Sequence, residues 1–438
     1  MQARGEPAAD PAPDLPLSAD VDRALSDARA LSFDLTGERL ISTEATFLAV
    51  LQADPALATA LAGFGLDLTR LEGLYQQGQM PPVTLESPLE LADLTERIDI
   101  ARILDASFNR AREALRVIED YCRFGLDDAF LSSQLKTLRH DLTAAIEEHA
   151  PPELLVARET QADVGTALST DSERERGSLA EVVQANLKRL QEALRSLEEF
   201  AKVTRPLLAE RVESMRYRAY TLERALLLGR SARTVLQDAR LYVLLSRRTC
   251  AAALDWTIAE AAAGGAAVVQ LREKTLPDSE LVALARAVRG WTRRAGVLFL
   301  VNDRPDIARL AEADGVHLGQ DDLSVKDARR ILGPDALIGV STHSVEQMRQ
   351  AVLDGASYVG VGPVFASRTK TFDGFAGLEF VRAAAAETTL PAFAIGGITP
   401  DNVSEVVEAG LRRVAVSSTI AEADDPQRVA RQLVAALE

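Results

Sequence analysis

The stretch from Leu298 to Asp322 reads LFLVNDRPDIARLAEADGVHLGQDD, and its pattern decides the fold of the half of the chain around it. Two short apolar runs, Leu298 to Val301 and Gly315 to Leu318, each end in polar side chains: Asn302 and Asp303 after the first, Gln320 and Asp322 after the second. Between them Ile307, Leu310 and Ala311 recur at helical spacing, with Pro305 in a first turn that needs no N–H. Strand, helix and strand in that order form a βαβ unit, whose crossover leaves both strand ends on one side of a parallel sheet. The carboxylates of Asp303 and Asp322 are therefore expected to meet at a common face. Two convergent carboxylates suit a hard cation, Mg²⁺ when a substrate brings phosphates; the competing reading makes them helix caps and turn acids.

Outward from this unit the same alternation continues. The expected strands are Leu241 to Leu245, Val268 to Leu271, Leu298 to Val301, Gly315 to Leu318, Leu337 to Val340, Tyr358 to Val361, Ala392 to Ile395 and Val414 to Val416. Eight βα units in roughly two hundred residues indicate an α/β fold, a TIM (β/α)8 barrel over 235–438, whose site lies at the C-terminal strand ends. A doubly wound sheet is the alternative, disfavoured by the even repetition.

The residues after each strand are then the candidate site. Strand two delivers Gln270, Arg272 and Lys274 in one direction; strand three Asn302 and Asp303; strand four Gln320 and Asp322; strand five Ser341 and His343. Strand six is followed by a loop with Ser367, Arg368, Thr369 and Lys370, strand seven by Gly396 and Gly397, and strand eight by Ser417 and Ser418. Arg272, Lys274, Lys370 and a metal on Asp303 and Asp322 supply charge enough for a diphosphate. Ser367, Thr369, Gly397 and Ser418 suit a single phosphate. Group transfer from a diphosphate to a phosphorylated acceptor follows from that layout. His317, within an apolar run, is expected to pack inside the barrel.

These residues closely resemble thiamine phosphate synthases. The resemblance rests on Gln270-Leu271-Arg272-Glu273-Lys274, Asn302-Asp303-Arg304, Gly315 to Gln320 with Asp322, Gly339 to His343, Gly360 to Phe365, Thr369-Lys370 and Ala394 to Ile398, in order over the whole C-terminal domain. It implies that hydroxymethylpyrimidine diphosphate is held by Gln270 to Lys274, Asn302, Ser341 and Lys370 and loses Mg²⁺-bound pyrophosphate. Arg272, Lys274, Lys370 and Ser341 are then the catalytic set, and the pyrimidinylmethyl cation is captured by the thiazole phosphate. The family's Thr is replaced by Ser367, which keeps the hydroxyl. A related thiazole isomerase is the alternative, which would need no diphosphate-bound metal.

Upstream, 99–230 holds a duplication. Phe108 to Tyr121 recurs as Leu187 to Phe200 at an offset of 79, and Leu138-Arg139-His140 recurs as Met215-Arg216-Tyr217 at an offset of 77. Each copy reads as a helical pair, and the two as a pseudo-twofold all-α four-helix bundle. Phe108, Ala111, Leu115 and Ile118 form the buried stripe. Arg110, Glu113, Arg116 and Glu119 alternate in sign on another face, which is most simply a solvated, ion-paired surface. The glycine and hydroxyls of Asp163 to Thr170, followed by Arg174 and Arg176, form a plausible phosphate cradle, without Walker spacing. The string Arg102 to Glu113, with Arg116 to Asp120 and Asp163 to Thr166, resembles the helical domain often fused to thiamine phosphate synthases. That family is regarded as an alternative hydroxymethylpyrimidine phosphate kinase. The resemblance implies ATP-dependent phosphorylation, with Asp105, Asn109, Arg110, Glu113, Arg116, Glu119 and Arg139 as candidate residues; a non-catalytic dimerisation or docking domain is the alternative.

The chain begins with an Ala/Pro/Asp-rich lead, 1–19, expected to be disordered and lacking a signal-peptide core. A small helical module follows over 20–80, with Thr43 expected to cap its second helix; Ile41 to Glu44, Phe47 to Leu51 and Gly65 to Asp67 resemble one repeat of the N-terminal domain of Clp-type chaperones. Pro81, Pro82 and Pro88 mark a linker, 81–98. The formal net charge of −16 over 438 residues argues against nucleic acid or an anionic membrane as partner, so anionic small-molecule substrates must be held by local cation clusters. Cys122 and Cys250 lack metal-ligand spacing and point to a reducing cytoplasm. A homo-oligomer is left open.

Overall fold

The computed structural model describes residues 19–36, 42–53, 68–77, 94–151, 154, 176–366 and 376–438. Several sequence expectations lie outside them: the N-terminal lead up to residue 18, the proline linker up to residue 93, Ile41 and Gly65 to Asp67, the cradle from Asp163 to Thr170 with Arg174, and the loop residues Ser367, Arg368, Thr369 and Lys370. The expected end of the linker at residue 98 is corrected, because the first bundle helix already begins at Leu94. The chain divides into two compact units, Met1–Leu91 and Ala92–Glu438. No described helix is long and apolar enough to cross a membrane.

In the first unit, helices α1 (Ala19–Thr36), α2 (Thr43–Ala53) and α3 (Leu68–Gln76) enclose Ala28, Ala45 and Ala49 on one side and Leu48, Leu51 and Leu71 on the other. The cap of α2 is Ser42, whose Oγ accepts from the Ala45 N–H at 3.1 Å. The expectation that Thr43 caps this helix is therefore corrected: Thr43 is already its first helical residue, and the cap stands one position earlier.

The second unit opens with the duplicated bundle: α4 (Leu94–Asp120), α5 (Ala129–His149), α6 (Leu179–Thr204) and α7 (Pro206–Val235). The apolar stripe of α4 is buried, as is its repeat Leu187, Leu190, Leu194 and Leu197 on α6. Each such burial contributes about 1.5–3 kcal/mol, against a few tenths for an exposed ion pair, roughly. Apolar packing therefore holds the helices together. The two-residue difference between the copies is absorbed where α4 ends. There the chain makes a π-helical turn, Tyr121–Gly125, and a short link before α5, whereas Arg205 alone separates α6 from α7.

That longer link carries Asp128, which joins bundle to barrel. Its Oδ1 caps α5 by accepting from Leu131 N (2.9 Å), while Oδ2 accepts from Thr388 Oγ1 (2.8 Å) and Thr389 N (2.9 Å) behind a barrel helix, Gly377–Glu387. Arg224 of α7 donates to Leu353 O (2.8 Å), and the Arg349 guanidinium lies over the Phe130 ring.

The barrel closes in sequence order with all strands parallel: β1 (Leu241–Leu245), β2 (Ala266–Leu271), β3 (Leu298–Asn302), β4 (Gly315–Leu318), β5 (Leu337–Thr342), β6 (Tyr358–Val361), β7 (Ala392–Ile395) and β8 (Val414–Val416), the last paired with β1. The strand period of two splits the core. Leu241, Val243, Val269, Leu271, Val316 and Val340 face the surrounding helices, while Tyr242, Val268, Leu300, Leu337, Tyr358, Phe393 and Ala415 fill the interior. Tyr242, Tyr358 and Phe393 form an edge-to-face plug with centroids 5.3 to 5.8 Å apart. Gly339 makes room for it, since a Cβ there would lie 2.0 Å from Tyr358 Cζ.

Two stability outcomes follow. Asp128→Ala strands the donors of Leu131 and Thr389, and denaturant unfolding should show a loss of about 1–3 kcal/mol per buried donor; an unchanged midpoint would mean that the junction contributes nothing. Gly339→Ala should cost about 1–3 kcal/mol by overpacking, read as a fall in thermal midpoint.

Candidate active site

The strand ends surround a cavity of about 480 Å³ above the aromatic plug, lined among others by Gln270, Arg272, Lys274, Asn302, Asp303, Asp322, Ser341, Gly396, Gly397, Ser417 and Ser418. The inward parity of β2 carries past its end: Gln270, Arg272 and Lys274 line the cavity. The alternate residues do not. Leu271 is buried in the outer core, and Glu273 accepts the backbone N–H of Arg247 (2.6 Å). The period of two turns these two side chains away from the lumen.

Asp303 and Asp322 are brought together from β3 and β4, their carboxyls within hydrogen-bonding reach. Asp303 sits at φ +60°, a left-handed conformation that Asp tolerates better than most residues. Its N–H donates to His317 O at 2.8 Å, which extends the β3–β4 ladder. The Asp322 carboxylate is turned back over β4 by accepting from Gly319 N (2.6 Å). Burial pushes the Asp303 carboxyl above its usual range, the facing Asp322 pushes it further, and Lys274 and Arg272 pull it down. Among the described residues no group of three or more His, Cys, Asp or Glu side chains gathers to hold a metal. The donor set is thus two hard oxygens, which leaves the remaining positions of an octahedral ion to water and substrate, as Mg²⁺ prefers.

The far wall is built on glycine. Gly396 and Gly397 have φ of +106° and +65°, and a Cβ on Gly397 would approach Ala366 O to 2.4 Å. Ser417 donates to Leu244 O (3.1 Å), so its hydroxyl also ties β8 to β1, while Ser418 opens the short helix Ser418–Ala421 beside it. Sequence reasoning missed one contributor. His317 packs on the plug as expected, yet it also lines the cavity and lies 2.8 Å from Ser341 Oγ. Gln320, named with the strand-four end of the candidate site, also lines the cavity and donates to Ser341 O. Parity was the available signal for His317: Val316 and Leu318 point outward, so the residue between them must point in.

In the bundle the candidate residues divide. Arg116, Glu119 and Arg139 come together: Arg139 Nε donates to the buried Glu119 carboxylate (2.9 Å), and Arg116 lies 3.8 Å from it. The repeat reproduces this with Arg195, Glu198 and Arg216, at 3.1 and 2.6 Å. Burial opposes ionisation of Glu198, but hydrogen bonds from Arg216 and Lys202 outweigh it and hold the carboxyl below its usual range. Asp105 is buried, and its carbonyl accepts from Asn109 Nδ2 (2.9 Å). Arg110 and Glu113 are exposed.

Comparison with known proteins agrees with this division. Residues 241–420 match the family model described as thiamine monophosphate synthase, and 102–225 match that of the ThiD2 family. A thiamine-phosphate synthase of Thermosynechococcus vestitus is 45% identical over 347 residues, spanning 78% of this chain and 97% of that one. The enzyme of the same name from Rhodopirellula baltica is 42% identical over 348 residues, 77% and 93% of the two chains. A solved thiamine phosphate pyrophosphorylase from Pyrococcus furiosus is 34% identical, with a TM-score of 0.42, over 46% of this chain and 96% of its own. With relatives of this identity covered almost end to end, the chain belongs to the thiamine-phosphate synthase family.

Proposed function

We propose that the barrel is a transferase that condenses hydroxymethylpyrimidine diphosphate with thiazole phosphate, giving thiamine phosphate and pyrophosphate. The observation that carries this reading is the approach of Asp303 and Asp322 beside Arg272 and Lys274 at one barrel rim. Two facing carboxyls, one of them pushed above its usual range, suit a divalent cation between them. When bound, Mg²⁺ would withdraw charge from the departing pyrophosphate. Arg272 and Lys274 hold the same oxygens, joined in this proposal by Lys370. Ser341, Asn302 and Gln270 orient the pyrimidine at the cavity floor. Gly397, with Gly396, Ser417, Ser418 and the loop from Ser367 to Thr369, takes the thiazole phosphate where backbone N–H groups can approach an anion closely.

The bundle, in the same proposal, phosphorylates the pyrimidine monophosphate with ATP and so supplies the barrel's substrate. Its match to the ThiD2 family supports this. A specific observation favours a second, structural reading. The twin Glu–Arg pairs are satisfied within the bundle, and Asp128 anchors it to the barrel. The segment resembling a Clp repeat is proposed as a docking module. A reducing cytoplasm is the proposed compartment, in keeping with the free cysteines Cys122 and Cys250.

Asp303→Ala and Asp322→Ala should each abolish Mg²⁺-dependent formation of thiamine phosphate, with the fold intact by circular dichroism. Ser418→Ala should chiefly raise the KM for thiazole phosphate. Equal weakening of both substrates in all three variants would instead indicate general damage. For the bundle, the full chain given ATP, pyrimidine monophosphate and thiazole phosphate should form thiamine phosphate. Product from the diphosphate alone leaves the structural reading.

A further inference from the structure

The cavity floor rests on a row of hydrogen bonds that the substrate assignment leaves unused. Gln270, 1% exposed, donates from Nε2 to Tyr242 Oη at 2.9 Å. Tyr242 Oη lies 3.0 Å from Tyr358 Oη, which lies 3.0 Å from His317 Nδ1, and His317 Nε2 lies 2.8 Å from Ser341 Oγ. Taken singly, the last three contacts have no direction, since a hydroxyl or an imidazole nitrogen can give or accept. Taken as a chain they have one.

An amide N–H can only donate, so the Tyr242 oxygen accepts from Gln270, and the acceptor that the described residues place within reach of its own buried proton is Tyr358 Oη. The Tyr358 proton in turn is committed to His317 Nδ1. A ring nitrogen that accepts bears no proton, so the imidazole is then in its neutral form, with a single proton. With Nδ1 accepting, that proton stands on Nε2 and is donated to Ser341 Oγ. The hydroxyl proton of Ser341 is left to point into the cavity. At the other end Gln270 Oε1 is buried without a partner among the described residues, in the lining of the same cavity. A buried acceptor of this kind costs stability unless a ligand satisfies it.

We infer that Tyr242, Tyr358 and His317 are positioning residues that form a one-way hydrogen-bond relay. The relay fixes Ser341 as a donor and Gln270 Oε1 as an acceptor toward the ligand. The site therefore selects a ligand that offers an acceptor to Ser341 and a donor to Gln270. This last step rests on the proposed function, because an aminopyrimidine carries both groups. The relay itself exists in the ligand-free protein and does not depend on that reading.

Long-range ¹H–¹⁵N spectra of the full-length, ligand-free protein with labelled histidine test the relay, with His317 assigned from a His317→Gln variant. The expected result at pH 7 is a neutral Nε2–H tautomer whose Nδ1 signal shows hydrogen-bond acceptance, and Tyr358→Phe, which keeps the ring packing, should shift that signal to its unbonded position. The same variant should raise the KM for pyrimidine diphosphate about tenfold, the worth of one neutral hydrogen bond, and leave that for thiazole phosphate unchanged. An Nδ1–H tautomer in the wild-type protein overturns the relay, as does a Tyr358→Phe protein whose Nδ1 signal and pyrimidine KM both stay at wild-type values. A wild-type chain that turns over neither substrate would instead overturn the proposed function and leave the tautomer result standing.

Discussion

Asp303 and Asp322 stand within hydrogen-bonding reach of each other at the ends of neighbouring strands, where burial and like charge together push Asp303 above its usual range. Such an approach is unfavourable unless the fold over-determines it. Here several local devices do so. Asp303 is held at φ +60° by its N–H on His317 O, and Asp322 is turned inward by Gly319 N. Arg272 and Lys274 arrive on the same side because their strand runs in register with β1 from Tyr242 to Leu245, above a shift at Leu241, and with β3 from Leu298 to Val301. In the proposed function that cost is offset by a cation and a diphosphate bound together.

Below that rim the barrel is closed by side chains, not by backbone. The aromatic plug of Tyr242, Tyr358 and Phe393 fills the lumen, and its two hydroxyls point up into the floor of the cavity, where His317 and Gln270 take them up. The same tyrosines thus complete the core and define the polarity of the ligand surface. Outside the barrel, the bundle is fastened by Arg224 on Leu353 O, by Arg349 over Phe130 and by one buried carboxylate, Asp128, made available by the two residues by which the first repeat exceeds the second. The departure from internal symmetry is also the point of attachment.

Much of this was legible beforehand, because a parallel barrel imposes a period of two that polar residues interrupt only at strand ends. Five of the eight strands fall on the residues their apolar runs mark, and the other three, β2, β3 and β5, run one or two residues longer at an end. The duplication picked out Arg139 and its repeat Arg216, but the face carrying Glu119 was read as solvated, whereas Glu119 and Glu198 are buried against those arginines. Other features were not legible. A motif read as a block drew in Leu271 and Glu273, whose side chains point away. A hydroxyl beside a helix start was assigned to Thr43 when Ser42 makes the bond. The Asp128 junction joins residues some 260 positions apart, a separation at which local pattern carries no information. His317 was judged by the hydropathy of its neighbours when its parity was the better guide.

The central claim is that these two carboxylates share one divalent ion with the departing diphosphate. Anomalous scattering from crystals of the full chain grown with Mn²⁺ and pyrophosphate tests it most directly. The account requires a single manganese peak bridging Asp303 and Asp322, with pyrophosphate oxygens on the side of Arg272 and Lys274. A manganese bound elsewhere in the cavity, with both carboxylates uncoordinated, would contradict it.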